Sequence, residues 1–586
     1  LAGQVSTAVA ASGTWSETTG DGTWSTSGNW TGGTIADGAG FTADFSQINL
    51  DAQAVYDLYG DDVNGNPLAR NAVYLNSART IGHVVFGDSN TASPGGWEVY
   101  AIGDAEYLTN ILTLSATSPT ITVNTLSAIN TSALVGALPQ TPELIDDALV
   151  RTSIASANGF TKMGPGILTL AGANQNLHGT VTVAQGTLRA RSTATFDYET
   201  ITDPERTQFH IMGGATLETA QSIGQNIAAG PGISIEAGAT ATIRKTGTGS
   251  LFFANIGGAG STLNFESTGG TVSLDRDWNV GGALANLNLI GIGAPRDYRI
   301  RNNGGTFGAA TLANTAVNLT NAVVFTNTNS GGNTNTFGSL SGDATSILRG
   351  GAAGTVVTYV VGGLGTSTTF AGEIQTGNGI NLFKVGGGTM ELSGNLTYQP
   401  TTNANLAVRG GVTRVEVGTL KLSGAAAIPG GLDALTPSTV DIRSGANLDV
   451  SSIASYSTAP FQQIIGAGTI KGNFTHDEGL LAPGDTNVGG NTQTLTSVAG
   501  TLTFDNNLSF AGSGEISFTM ATTPAGANDK IQVNGSASLT GTPVITPTFP
   551  GGVPAAGQTY TLLTANGGFG GTNPPGWGGL LPGPGA

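Results

Sequence analysis

The chain contains no cysteine, which excludes disulfide staples and thiolate metal sites. Charge is sparse. Only 10% of residues are Asp, Glu, Lys or Arg, and 38 acids against 21 bases leave a net charge of −17. That acidic balance argues against nucleic acid and against an anionic membrane surface as partner. No uncharged apolar run reaches about 18 residues, so no spanning helix is expected. Proline is limited to 23 residues, and the 92 glycines follow no three-residue period, which excludes collagen. A hydrophobic fraction of 39% is too high for a disordered chain. What these absences leave is a packed β protein, rich in β-branched residues and turns. The sequence opens on Leu1 rather than Met, and it is read as mature and exported, its targeting segment removed.

What is present is a recurring phrase. Lys162–Arg191 reads KMGPGILTLAGANQNLHGTVTVAQGTLRAR. Alternate residues of Ile167–Leu170 and Thr180–Val183 are apolar, the period of a half-buried strand. The phrase returns as RKTGTGSLFF with STGGTVSL, and as FKVGGGTMELSGNLTY with VEVGTLKL. Gly-to-Gly spacing is 20 residues at Gly166–Gly186, 21 at Gly249–Gly270 and 30 at Gly388–Gly418. A period of about 20–30 residues that tolerates insertion at one place marks a solenoid, whose coils must stack to bury their apolar faces.

Four regions follow in order. Residues 1–110 hold a small-residue stretch, LAGQVSTAVAAS, apolar and alternating in part, which reads equally as an added strand with Leu1, Val5 and Val9 as assembly residues or as a loosely held terminus, and a Trp-rich cap with Trp15, Trp24 and Trp30 plugging the end of the stack. Residues 111–490 are the solenoid, with excursions at 141–153 and 196–210. The first of these reads as a short helix, with Thr141 as N-cap, Pro142 next and Glu143, Asp146 and Asp147 on a solvated face. Residues 491–565 suit a closing β domain of longer strands. Residues 566–586 are a Gly/Pro tail whose Trp577, Leu580 and Leu581 need a surface to rest on, such as a neighbouring subunit.

Candidate chemistry is thin. Asp62, Asn64 and Asn66 echo a calcium loop, but Pro67 stands where Gly is needed and Val73 where the bidentate Glu belongs. An Asx-type turn is the plainer reading. His83 reads as a strand residue. Asp275 and Asp277 flank Arg276, and His476, Asp477 and Glu478 adjoin on a turn, with no partner motif for either group. No catalytic residue and no cofactor other than weak calcium is expected.

The repeats resemble the autotransporter-associated β-strand repeat of large exported bacterial proteins. The opening Lys-x-Gly-x-Gly-Thr-Leu-x-Leu-x-Gly is matched in outline at Lys162–Gly172 and Lys384–Gly394, and the closing Val-x-x-Gly-Thr-Leu at Val183–Leu188 and Val415–Leu420. The resemblance implies an all-β, right-handed parallel β-solenoid at the cell surface, with no catalytic residues to carry over. No translocator barrel is recognisable after residue 500. Roughly twenty coils about 4.8 Å apart would span on the order of 100 Å. The expected function is structural: an extracellular subunit that assembles with copies of itself through its termini into a filament, fibre or layer. The alternative is a monomeric adhesin that binds surface glycans on Trp24, Trp30, Trp97 or Trp278. A polysaccharide lyase or hydrolase is the least favoured reading.

Overall fold

The structure is a computed structural model. It describes residues 10–19, 21–50, 71–92, 95–101, 109–126, 147–172, 177–190, 207–219, 232–275, 282–301, 312–327, 333–350, 356–375, 379–398, 411–487 and 495–571. Two compact units are present, Leu1–Ala285 with Ile290–Arg296, and Asn286–Leu289 with Asp297–Ala586.

In the first unit the strands Gly159–Met163, Thr180–Val183, Gln208–Ile211 and Ile233–Ile235 pair side by side, all parallel. A second sheet runs through Asp147–Val150, Ile167–Leu170, Thr187–Ala190, Thr216–Thr219, Thr240–Lys245 and Thr262–Ser267. The chain visits the two sheets in alternation, so each turn adds one rung to both. This is a parallel β-solenoid. Registers align like with like: Leu168, Leu188, Leu217, Ile243 and Phe265 form one column, and all are buried. A slip of one residue would turn every such column outward.

Glycine closes the turns. Gly186 sits at φ +63°, and a Cβ there would come within 2.5–2.7 Å of the carbonyl oxygens of Gly164, Pro165 and Gly166 one coil earlier. Gly418, at φ +76°, faces Gly386 and Gly388 in the same way. The Gly-Thr-Leu closings are therefore places where one coil's backbone lies against the next.

The N-terminal plug is present. Trp15 and Trp30 face each other across an antiparallel bridge, their rings 5.1 Å apart and edge-on. Trp24 and Phe45 join them, and Phe86 and Trp97 extend the cluster. Trp24 and Trp97 are 0% exposed, Trp15 and Trp30 2%. Three of the buried indole N–H groups have acceptors: Trp24 donates to Ala36 O, Trp30 to Trp24 O and Trp97 to Gly87 O, at 2.7–2.9 Å.

The short helix over 141–153 is not found in its described part. Asp147–Val150 is a strand buried at all four residues, paired with Trp97–Tyr100 and with Ile167–Leu170. Rungs on both sides supply ladder hydrogen bonds and burial, which outweigh local capping preferences. Asp147 is thus not on a solvated face. It is 2% exposed, accepts a hydrogen bond from Thr169 Oγ1 and lies 3.9 Å from Arg189. The second expected excursion, 196–210, ends inside a rung, since Gln208–Ile211 is a strand. Residues 127–146 and 191–206 lie outside the described set.

In the second unit the same construction runs through Thr389–Leu392, Thr419–Leu422, Asn447–Asp449 and Thr469–Lys471. Beside it run Val357–Val361, Ile380–Lys384, Val412–Val415, Ser438–Ile442, Gln462–Gly466 and Leu480–Pro483. The stretch expected to close the molecule continues these ladders: Thr469–Lys471 pairs with Thr501–Phe504, then Lys530–Val533, then Leu563–Ala565. Its strands are three to five residues long, no longer than the others. An antiparallel pair, Thr486–Asn487 with Leu495–Thr496, interrupts the coil. Arg414 and Arg443 hold it down by donating to Asn487 O, and both guanidiniums pair with the buried Asp441 at 3.1–3.2 Å.

Charged side chains outside the coils also line up. Arg189, Glu218, Arg244 and Glu266 occupy matching positions on four successive rungs. Their ion pairs measure 2.6, 3.3 and 2.7 Å. Glu391, Lys421, Asp449 and Lys471 do the same in the second unit, with Lys421 3.3 Å from Glu391. Opposite charges directly across a sheet stabilise a pairing and like charges oppose it, so these ladders favour one register.

Candidate functional site

The lysine of the repeat is the first polar group to place. Lys162, Lys245 and Lys384 follow an inward apolar residue by two positions (Phe160, Ile243 and Leu382), so strand alternation turns them inward as well. All three are buried, at 0–1% exposure. Lys162 Nζ donates to the carbonyls of Met163, Gly164 and Gln185 at 2.7–3.2 Å. Lys384 Nζ donates to Val385, Gly386 and Val417 at 2.7–3.2 Å, and Lys245 Nζ to Gly247 and Gly269. Each amine joins the turn of its own coil to the turn of the next. Burial lowers the Lys162 amine to about 7 and those of Lys245 and Lys384 to about 8. Their partners are carbonyls tied up in the turns, which makes these lysines structural ties.

The residues singled out from sequence do not converge. Trp24, Trp30 and Trp97 are core, so they offer no stacking platform to a glycan. Trp278 lies outside the described residues, as do Asp62, Asn64, Asn66, Arg276, Asp277, Leu1, Val5, Val9, Trp577, Leu580 and Leu581. His83 is a strand residue whose Nδ1 meets Thr120 Oγ1 at 2.9 Å. His476 is 1% exposed, stands edge-on to Phe510 and contacts Glu515 O through Nε2. Burial lowers it to about 4, so it is a neutral core side chain. Asp477 and Glu478 present their backbone N–H groups to Thr458 Oγ1. Among the described residues no group of three or more His, Asp or Glu could hold a metal, and no helix is long and apolar enough to cross a membrane.

A pair of buried carboxyls, Asp485 and Asp529, was not expected from sequence. Asp529 is 1% exposed and accepts hydrogen bonds from the N–H of Gly500 and of Thr519. Burial raises Asp485 to about 6. It raises Asp529 to about 7, with the charge of Asp485 adding to the effect. A carboxyl raised in the folded state favours folding most below its unfolded value near 3.9, and that contribution is lost as pH rises through the folded value. Protection of the Gly500 and Thr519 amides from hydrogen exchange, corrected for intrinsic rates, should therefore fall between pH 5 and pH 8. The fall should be smaller in Asp485→Asn. Protection that does not change with pH would remove the acid pair as a pH-sensitive element.

The remaining feature is the end of the last coil. Val544–Thr548, Leu563–Ala565 and Phe569–Gly571 each pair with a rung on one side, and among the described residues nothing pairs with the other side. Parallel strands bond to one neighbour through alternate residues. Val544 N donates to Gly514 O, Ile531 N to Leu562 O and Ala537 N to Gly568 O, so the N–H groups of Ile545, Leu563, Ala565 and Phe569 face the free edge. Pro547 also faces it and has no N–H to offer. Inward side chains one coil earlier are buried, with Ile516 at 3%, Phe518 at 2% and Ile531 at 1% exposure. Those of the last coil, Ile545, Leu563 and Phe569, are only half-buried. They line a shallow apolar cleft that opens to solvent, with Phe510, Phe518 and Leu539 at its base. Among the described residues, the Trp-filled first coils and this half-covered last coil thus differ in kind. No protein-family model matches the chain, and no curated protein matches it.

Proposed function

We propose that the chain is a structural extracellular protein, a subunit that assembles with copies of itself into a bacterial surface filament, fibre or layer through contacts at its ends. The observation that carries this reading is the last described coil, whose outer backbone edge pairs with nothing among the described residues and whose apolar interior is half-open. Unpaired strand edges invite further pairing, and a half-covered apolar face favours a partner. The ties add support, because the conspicuous charged groups hold coil to coil and in register. The repeats' resemblance to those of exported surface proteins is consistent with the setting.

Light scattering and negative-stain microscopy across a concentration series test it. Polymers should grow with concentration and disappear in Leu563→Asp, which places a charge in the cleft. A wild-type protein that stays monomeric at every concentration would refute assembly. A glycan-binding adhesin remains the second reading. One observation favours it: Phe461 is held at φ +53° and is 44% exposed, with Leu432 and Leu435 also exposed. Retardation of the wild type, but not of Phe461→Ala, in polysaccharide affinity gels would select that reading.

A further inference from the structure

We infer that Asp485 and Asp529 form a site for a calcium ion, which fastens the base of the antiparallel strand pair to the coils. Four segments meet there. Asp485 leads into the strand Thr486–Asn487, and Val498 and Gly500 follow its partner Leu495–Thr496. Thr519 ends the strand Glu515–Thr519, and Asp529 precedes Lys530–Val533. Gly484, at φ +77°, lets these segments approach each other. A Cβ there would stand 2.7 Å from Asp529 Oδ1 and 2.1 Å from Val498 O. Both carboxyls also reach the Thr519 hydroxyl.

The observation that points to a ligand is an unmet oxygen. Asp485 is 6% exposed, and its Oδ1 is buried without a hydrogen-bond partner. The local donors are already committed. Gly500 N–H donates to Asp529 Oδ1 at 2.8 Å and Thr519 N–H to Oδ2, while Val498 N–H serves Asp485. The Thr519 hydroxyl has one hydrogen and can satisfy only one of the two carboxyls. Among the described residues no Lys, Arg or His pairs with either acid, and Lys530, next to Asp529, is exposed. Buried charge without a partner is costly, and adjacent carboxylates repel each other. A divalent cation removes both costs. The atoms on offer are all hard oxygens: two carboxyls, the Thr519 hydroxyl and the Val498 carbonyl. With no imidazole or thiolate among them, they suit calcium and not zinc or copper. Calcium accepts an irregular set completed by water, whereas magnesium demands near-octahedral geometry. Val498 is 47% exposed, so the site lies just under the surface, within reach of dissolved ions. The inference rests on no part of the assembly reading.

The test uses the full chain, stripped of metal with a chelator and held at neutral pH. Calcium chloride is added to about 5 mM, above the ~0.1–1 mM dissociation constants of weak calcium modules. Hydrogen exchange at the Gly500 and Thr519 amides should slow by roughly tenfold, as expected for a ligand at about ten times its dissociation constant. Sodium chloride at equal ionic strength should leave exchange unchanged. Asp485→Asn and Asp529→Asn keep the side-chain shape and remove one charge each. Both should lose the calcium response while retaining the wild-type far-ultraviolet circular dichroism. Asp62→Asn, which alters the calcium-like loop of the sequence, should respond as wild type does. Exchange indifferent to calcium would overturn the inference, leaving a pair neutralised by protons alone. A response that survives in both Asp485→Asn and Asp529→Asn, or disappears in Asp62→Asn, would overturn it by placing the ion elsewhere. Equal slowing by sodium would overturn it by reducing the effect to screening.

Discussion

Trp30→Ala should destabilise the first coils by about 3–5 kcal/mol, the range for removing a large buried aromatic side chain. Trp30 is 2% exposed and lies against Trp15, Trp24 and Phe45 at centroid distances of 5.1–5.7 Å. The substitution removes those contacts, leaves a void among rigid rings, and strands Trp24 O, which accepts the Trp30 indole N–H at 2.7 Å. Stacked coils contact only their neighbours, so the loss should be felt at the N-terminal end first. Denaturant unfolding followed by near-ultraviolet circular dichroism and by exchange of the Val84 and Val85 amides would show it. Trp30→Phe keeps most ring contacts and loses the N–H, so its cost should be less than half as large. A Trp30→Ala protein that unfolds at the wild-type midpoint would mean that the plug does not stabilise the stack.

Lys384→Met is the second large effect, on the order of 3 kcal/mol, because it leaves the carbonyls of Val385, Gly386 and Val417 without their buried donor while nearly keeping the side chain's volume. The effect has a pH signature. Burial holds the Lys384 amine at about 8, against about 10.4 in an unfolded chain. Between those values the unfolded chain binds more protons, so wild-type stability rises with pH. The Met variant lacks this rise, and the gap between the two proteins should widen from pH 8 to pH 10. Thermal midpoints at both pH values, with Lys421→Met as an outward-facing control, decide it. Equal loss in the control would mean that the interior position of Lys384 is immaterial.

Much of this architecture was legible in the residues, and the failures have physical causes. Period-2 runs between glycines gave the rungs, as at Thr180–Val183, because alternation reports directly which face is buried. The Trp-rich start read correctly as a plug. The inward lysines were also readable, since Lys162 shares the parity of Phe160, but charge suggests solvent until the turn carbonyls that receive it are seen. Asp147–Val150 was misread because capping signals are local whereas ladder pairing comes from residues far along the chain. Asp485 and Asp529 could not be joined from sequence, since 44 residues separate them and only stacking brings both near Thr519. The uncovered edge of the last described coil was hidden for a related reason: which strand lacks a partner among the described residues depends on pairing along the whole ladder, not on the pattern of any one strand.

The alternating ladders have a consequence for how such a chain can change length. Arg189, Glu218, Arg244 and Glu266 alternate in sign rung by rung. Excising the single coil that carries Glu218 would set one guanidinium against another, whereas excising two adjacent coils would restore the alternation. The same parity holds for Glu391, Lys421, Asp449 and Lys471. In these stretches, duplication or loss of coils should be tolerated in even numbers and resisted in odd ones.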